Sequence, residues 1–167
     1  MAEWAVYRRS TLMSWLYSPD GYEFGAVSLG RLAHCHPHLR KVAHGVIRVA
    51  DVSVISGLRT SEEQQALHAD GKSKLDGVTK FSMHQGDPRL VPKNRVSWAM
   101  DLMPWLPGVD VWQRADLFYI QAGIVLAVAE RMGVPLRWGG DWDRDGQTWD
   151  QSFDDLPHFE LYGPEYR

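Results

Sequence analysis

Hydrophobic and polar positions along this chain switch between a helical period and a strand period. Leu39, Val42, Ala43, Val46, Ile47 and Ala50 recur at helical spacing after Pro37, which suits a first helical turn, so this stretch forms an amphipathic helix facing a core. Ser28 is placed to cap a shorter helix before it, running through His34. Val52–Ser56 alternates and is rich in β-branched residues, the pattern of a strand. Ser61 is expected to cap the next helix, with Gln64 at the capping-box position, and that helix ends near Asp70 and Gly71. Gly71–Phe81 reads as a polar loop, and Gln85–Arg95, with Gly86, Pro88 and Pro92, as an exposed excursion. Val96–Met103 returns to period two, with Trp98, Met100 and Leu102 on one face and Ser97, Ala99 and Asp101 on the other. Val111–Met132 predicts one long helix buried along Leu117, Ile120, Ile124, Ala127, Val128 and Met132, and stopped by Gly133 and Pro135. Leu136–Trp138 is a short strand, residues 139–154 a Gly/Asp-rich loop, and a last strand projects Phe159 and Leu161 opposite His158.

These elements predict an α+β fold, a small antiparallel sheet with helices packed around it. At 167 residues the chain has room for one domain with a real core. Residues 1–23, carrying Trp4, Tyr7, Trp15, Tyr17 and Tyr22, are expected to be an aromatic-rich extension packed on a main domain spanning 24–167. A net charge of −3 gives no footprint for nucleic acid or an acidic membrane surface. No apolar run is long enough to span a bilayer, so no stable membrane association is expected. Arg8-Arg9 precede a short, polar-interrupted apolar stretch without an evident cleavage site, which predicts synthesis in the cytoplasm with no signal peptide. A monomer is expected.

The candidate chemistry gathers near the C-terminus. Asp155-Leu-Pro-His158 joins an acid to a histidine; upstream, Ser82-Met-His84 and Ser97-Trp-Ala-Met-Asp101 add a second imidazole and a carboxylate. Cys35 is the sole cysteine, so any zinc is held by His and carboxylate, a donor set more typical of catalytic than of structural sites. His84, Asp101 and His158 are the economical ligands, leaving a fourth position for water whose pKa falls toward about 7. Asp155, one short turn before His158, is the candidate base, with Asp154 its competitor. The alternative is that these histidines are ordinary surface or core residues. His68 is a fallback ligand, while His34, His36, His38 and His44 read as surface groups. Arg59 sits where a strand meets a helix start, as a structural ion pair or as a guanidinium aimed at a carboxylate or oxyanion. Asp141, Asp143 and Asp145, with the Gln147 carbonyl and Asp150, follow the start of a calcium loop. Ser152 occupies its twelfth position, so it is no ordinary EF-hand, and a solvated acidic turn is the alternative.

Four segments resemble the zinc D-alanyl-D-alanine carboxypeptidase and L-alanyl-D-glutamate peptidase family, the VanX/VanY-like peptidases, with its hedgehog/DD-peptidase-like fold. They are Ser56-Gly-Leu-Arg59-Thr60, Ser82-Met-His84, Ala99-Met-Asp101-Leu102, and Trp138-Gly-Gly-Asp-Trp142 leading to Asp155-Leu-Pro-His158-Phe-Glu-Leu161, in the family's order across roughly residues 24–162. The resemblance implies His84, Asp101 and His158 as zinc ligands, Asp155 as the acidic catalytic residue and Arg59 as the active-site arginine. Trp138–Trp142 is similar to the phage endolysin branch. That branch implies cleavage of peptidoglycan stem peptides at the L-Ala–D-Glu bond, with release to the cell wall through a holin. The alternatives are a bacterial D-alanyl-D-alanine carboxypeptidase or dipeptidase, and a non-catalytic zinc-stabilised wall-binding module. The family places its histidine and aspartate in one short motif; here Gln85–Met100 intervene, an insertion suited to a lid or a substrate-selecting loop.

Overall fold

The computed structural model describes residues 15–16, 18 and 20–166; Trp4, Tyr7 and Tyr17 lie outside them. Strands β1 (Val52–Ser56), β2 (Ala99–Pro104), β3 (Leu136–Gly139) and β4 (Asp155–Leu161) form one antiparallel sheet in the order β1-β2-β4-β3. Around it pack α1 (Ala26–Ala33), α2 (Pro37–Val46), α3 (Ser61–Ala69) and α4 (Ala115–Arg131). This is the expected α+β arrangement.

Period two divides the sheet into a dry face and a chemical face. Val52, Val54, Met100, Leu102, Leu136, Trp138, Phe159 and Leu161 are buried together with Leu39, Val42 and Val46 of α2 and Ala122, Val125 and Ala129 of α4. Each large apolar side chain in this layer contributes about 1.5–3 kcal/mol. The same alternation turns Asp101, His158 and Glu160 the other way. A second cluster seats Trp15 against Ala50, Leu106, Val111 and Leu117, and the Trp15 indole N–H donates to the Asp51 carbonyl at 2.6 Å.

Several local expectations are corrected. Gly25, not Ser28, precedes α1; the Ser28 hydroxyl instead accepts the Val54 N–H of β1 at 3.1 Å. Thr60, not Ser61, caps α3, in a reciprocal box with Glu63. Gln64 is thereby freed to turn inward. β2 begins at Ala99 because Ser97 spends its backbone groups on His34 and His36. Val111–Gln113 is a separate 3-10 turn capped by Asp110, so α4 starts only at Ala115. The fully buried face of α4 is Leu117, Phe118, Gln121, Ala122, Val125 and Ala129. The helix is apolar on more than one side, so periodicity alone misjudged its rotation; Val128 and Met132 pack against Gly45 of α2 instead.

The Gln85–Arg95 excursion closes on itself. Arg95 donates to the carbonyls of Pro88 and Leu90, and Asp87 pairs with Arg89. Its neck is Gly86, at φ 67°, where a Cβ would lie well under 3.0 Å from the Val96 carbonyl oxygen. Only glycine lets the two sides of the neck meet this closely.

Candidate active site

Strand register brings the first two groups together. Asp101 of β2 and His158 of β4 are direct cross-strand partners, and Asp101 Oδ1 lies 3.1 Å from His158 Nδ1. His84 arrives from the 3-10 turn Met83–Gln85. That turn is fixed reciprocally: the His84 N–H donates to Ser82 Oγ, and the Ser82 N–H donates to Gln85 Oε1 at 3.0 Å. His84 Nε2 then stands 3.1 Å from Asp101 Oδ1 and 3.3 Å from His158 Nδ1.

Partners behind the triad set its protonation. His84 Nδ1 lies 2.7 Å from the Gly57 carbonyl oxygen, which can only accept, so Nδ1 carries the proton and Nε2 presents a lone pair. His158 Nε2 lies 3.0 Å from Glu160 Oε2, so Nε2 carries a proton and Nδ1 is the nitrogen left to face Asp101 and His84. Arg59 donates to Asp101 Oδ2 at 2.6 Å, leaving Oδ1 to the triad. Three potential ligand atoms therefore face one another with 3.1–3.3 Å edges. A tetrahedral ion with bonds of 2.0–2.1 Å needs edges of about 3.3 Å. The donors, their spacing and their backing fit zinc.

The local field agrees. Burial pulls the Asp101 carboxyl upward, but His84 and His158 outweigh it and hold it well below the ordinary range. Burial alone would lower His158; the bonds to Asp101 and Glu160 raise it to about 10. His84, dominated by burial, is lowered. The proton that Asp101 holds on His158 Nδ1 occupies the position a metal ion would take, and it would be released as the ion bound.

Asp155 reaches the same cleft through a bulge rather than the short turn expected. Trp138 pairs with Phe159, but the next residue, Gly139, pairs with Asp155. The extra residues of β4 bend the strand and re-aim Asp155. Gly139 permits this: a Cβ there would collide with the Asp155 carbonyl and crowd the Cβ atoms of Asp155 and His158. Burial raises the Asp155 carboxyl above its ordinary value. Asp154 is exposed and does not line the cleft.

Arg59, His84, Asp101, Asp155 and His158 line one cleft of about 460 Å³, with Trp142 and Phe153 at its side. Arg59 is an ion-pair partner of Asp101 and also faces this space. No residue of Gln85–Arg95 lines it. His68 is exposed, near the Ser73 carbonyl, and takes no part. His36 caps α2 and His38 meets Tyr166; neither joins the triad. Asp141, Asp143 and Asp145 do converge as an acidic group, whereas Asp150 stays outside it, beside Gln151.

Sequence reading missed Glu160 and Arg137. Glu160 is buried and tied to both His158 and Arg137, which in turn stacks over Trp142 at 5.3 Å. The signal was available: a strand places residue 160 on the same face as 158.

The model of the phage L-alanyl-D-glutamate peptidase family matches residues 20–162. An L-alanyl-D-glutamate peptidase of Escherichia phage T5 is 26% identical over 132 residues, 78% of this chain and 88% of that protein. The crystal structure of the Serratia marcescens L-Ala D-Glu endopeptidase ChiX superposes with a TM-score of 0.62 at 26% identity, covering 86% of this chain and 92% of that one. Triad, bulge-borne acid and fold thus accompany a match over most of the sequence, and the chain belongs to the phage L-alanyl-D-glutamate peptidase family.

Proposed function

We propose that this protein is a zinc peptidase that hydrolyses the L-alanyl–D-glutamate bond of peptidoglycan stem peptides, as an endolysin releasing phage from its host. The observation that carries this is the triangle of His84 Nε2, Asp101 Oδ1 and His158 Nδ1, each ligand backed by its own partner, beside a buried acid. His84, Asp101 and His158 hold the ion. When bound, zinc acidifies water and polarises a carbonyl at neutral pH.

The chain's own residues do the rest. Asp155, with its carboxyl raised by burial, takes the proton of the attacking water and hands it to the leaving amine. Arg59, held by Ser56 Oγ at 2.9 Å and by Asp101, keeps that ligand in register and turns its remaining N–H groups to substrate oxygen. Trp142, 5.4 Å from the His158 ring, walls the cleft.

The acidic loop is proposed to bind calcium. Asp141 Oδ1 is buried with no hydrogen-bond partner among the described residues, beside Asp143 and Asp145. An ion there would brace the loop leading to Asp155.

Digestion of purified muropeptides with product mass spectrometry tests the activity. New D-glutamyl N-termini, lost on chelation and restored by zinc, are expected. Release of terminal D-alanine instead would transfer the protein to the carboxypeptidase reading, and no cleavage at all would leave a wall-binding module.

A further inference from the structure

Four basic side chains line the catalytic cleft: Arg59, Lys72, Lys74 and Arg137. Three already have a carboxylate. Arg59 pairs with Asp101, Arg137 with Glu160, and Lys72 with Asp70. Lys74 has none among the described residues. Its ammonium lies 4.7 Å from the centroid of the Phe153 ring, across the cleft mouth. The acid closest in sequence, Asp76, is committed to the backbone N–H groups of Val78, Thr79 and Lys80 and to the Thr79 hydroxyl.

The backbone around Lys74 is held firmly. Gln64, fully buried on α3, donates to Ser73 Oγ at 2.7 Å and to the Leu75 carbonyl at 2.9 Å, gripping the residues on both sides of Lys74. Its own Oε1 receives Arg59 at 3.4 Å. A fixed loop thus presents an exposed cation with no carboxylate partner among the described residues, resting on an exposed aromatic, to the cleft that holds the triad.

The proposed substrate supplies the missing charge. Glutamate has two carboxyls and only one continues a peptide chain, so the other remains as a free carboxylate on the leaving residue. An ammonium exchanging a weak aromatic contact for a carboxylate gains a charge-assisted hydrogen bond. We propose that Lys74 is a specificity-determining residue: it leaves Phe153 to receive the free carboxylate of the glutamyl residue on the leaving side of the scissile bond. This rests on the function proposed above.

The test compares two stem peptides, L-Ala-γ-D-Glu-L-Lys and the same peptide with its D-glutamyl α-carboxylate converted to a carboxamide. Both are assayed with zinc-loaded wild-type protein and with Lys74→Met, Lys74→Arg and Lys72→Met. Wild type is expected to favour the acid over the amide by about 10- to 100-fold in kcat/KM, the size of one hydrogen bond to a charge. Lys74→Met should bring that ratio near one, mainly through KM for the acid, and Lys74→Arg should restore most of it. A mere packing role against Phe153 would lower both peptides together and leave the ratio intact, overturning the proposal. So would a wild-type ratio near one, or collapse of the preference in Lys72→Met instead. Failure of wild type to cut either peptide would overturn the proposed function itself, and this inference with it.

Discussion

Glu160 accepts the Nε2–H of His158 at 3.0 Å from two residues further along the same strand. It therefore selects the tautomer that aims Nδ1 at Asp101. Glu160→Gln keeps the shape and removes the charge. Zinc affinity is expected to fall about 10- to 100-fold, the usual cost of losing such backing. Competition against a chromophoric chelator measures it, and raised zinc should recover turnover. Unchanged affinity would mean that Glu160 serves Arg137 alone.

The ion should also contribute to folding, because His84, Asp101 and His158 come from separate segments and meet only in the native state. At free zinc about 100-fold above Kd, binding adds about 2.7 kcal/mol, or roughly 5–10 °C in Tm for a domain of this size. Calorimetry before and after chelation checks this. A Tm indifferent to chelation would remove the triad as a zinc site.

The residues of the triad were legible because their chemistry is rare and their neighbours distinctive. Their assembly was not. His84 and Asp101 are separated by an excursion whose neck depends on Gly86 meeting Val96, a tertiary contact with no local periodicity. Asp155 was identifiable as an acid near His158, yet ordinary strand alternation over three residues would place the two on opposite faces. The bulge opposite Gly139 reverses that, and a bulge leaves little trace in one strand's sequence. The rotation of α4 was obscured for the opposite reason: too many apolar positions rather than too few.

The Gly86 neck makes a measurable claim. Gly86 and Gly71 both have positive φ, but a Cβ at Gly71 meets open space while one at Gly86 meets Val96 backbone. Gly71→Ala is expected to cost about 1 kcal/mol from backbone strain. Gly86→Ala should exceed it, with about 1–3 kcal/mol of strain before displacement of Val96 is added. Urea denaturation of the two variants decides the order, and equal costs would contradict the tight neck.

Calcium at Asp141, Asp143 and Asp145 would make activity depend on a second ion. Titrating calcium into zinc-loaded protein in metal-defined buffer is expected to raise both turnover and Tm, and Asp143→Asn together with Asp145→Asn should abolish the response. Turnover and Tm that ignore calcium throughout would return the loop to a solvated acidic turn.

Asp155 sets function against stability. Burial raises its carboxyl in the folded protein above the unfolded value, so the native state binds this proton more tightly than the unfolded chain. The sign follows from linkage: the stability contributed by that proton is fully present below the unfolded pKa and is lost as pH rises through the folded one. The proposed mechanism needs this same group to give up its proton and act as base, so burial works against the charge that the reaction would require. Asp155→Asn removes the charge without changing the shape. Turnover should fall by about two to four decades, while zinc content stays at wild-type level. Tm at pH 7 should hold or rise, and the gain should shrink as pH is lowered. Parallel losses of activity, zinc and Tm would recast Asp155 as a structural prop of β4 instead of the proton carrier.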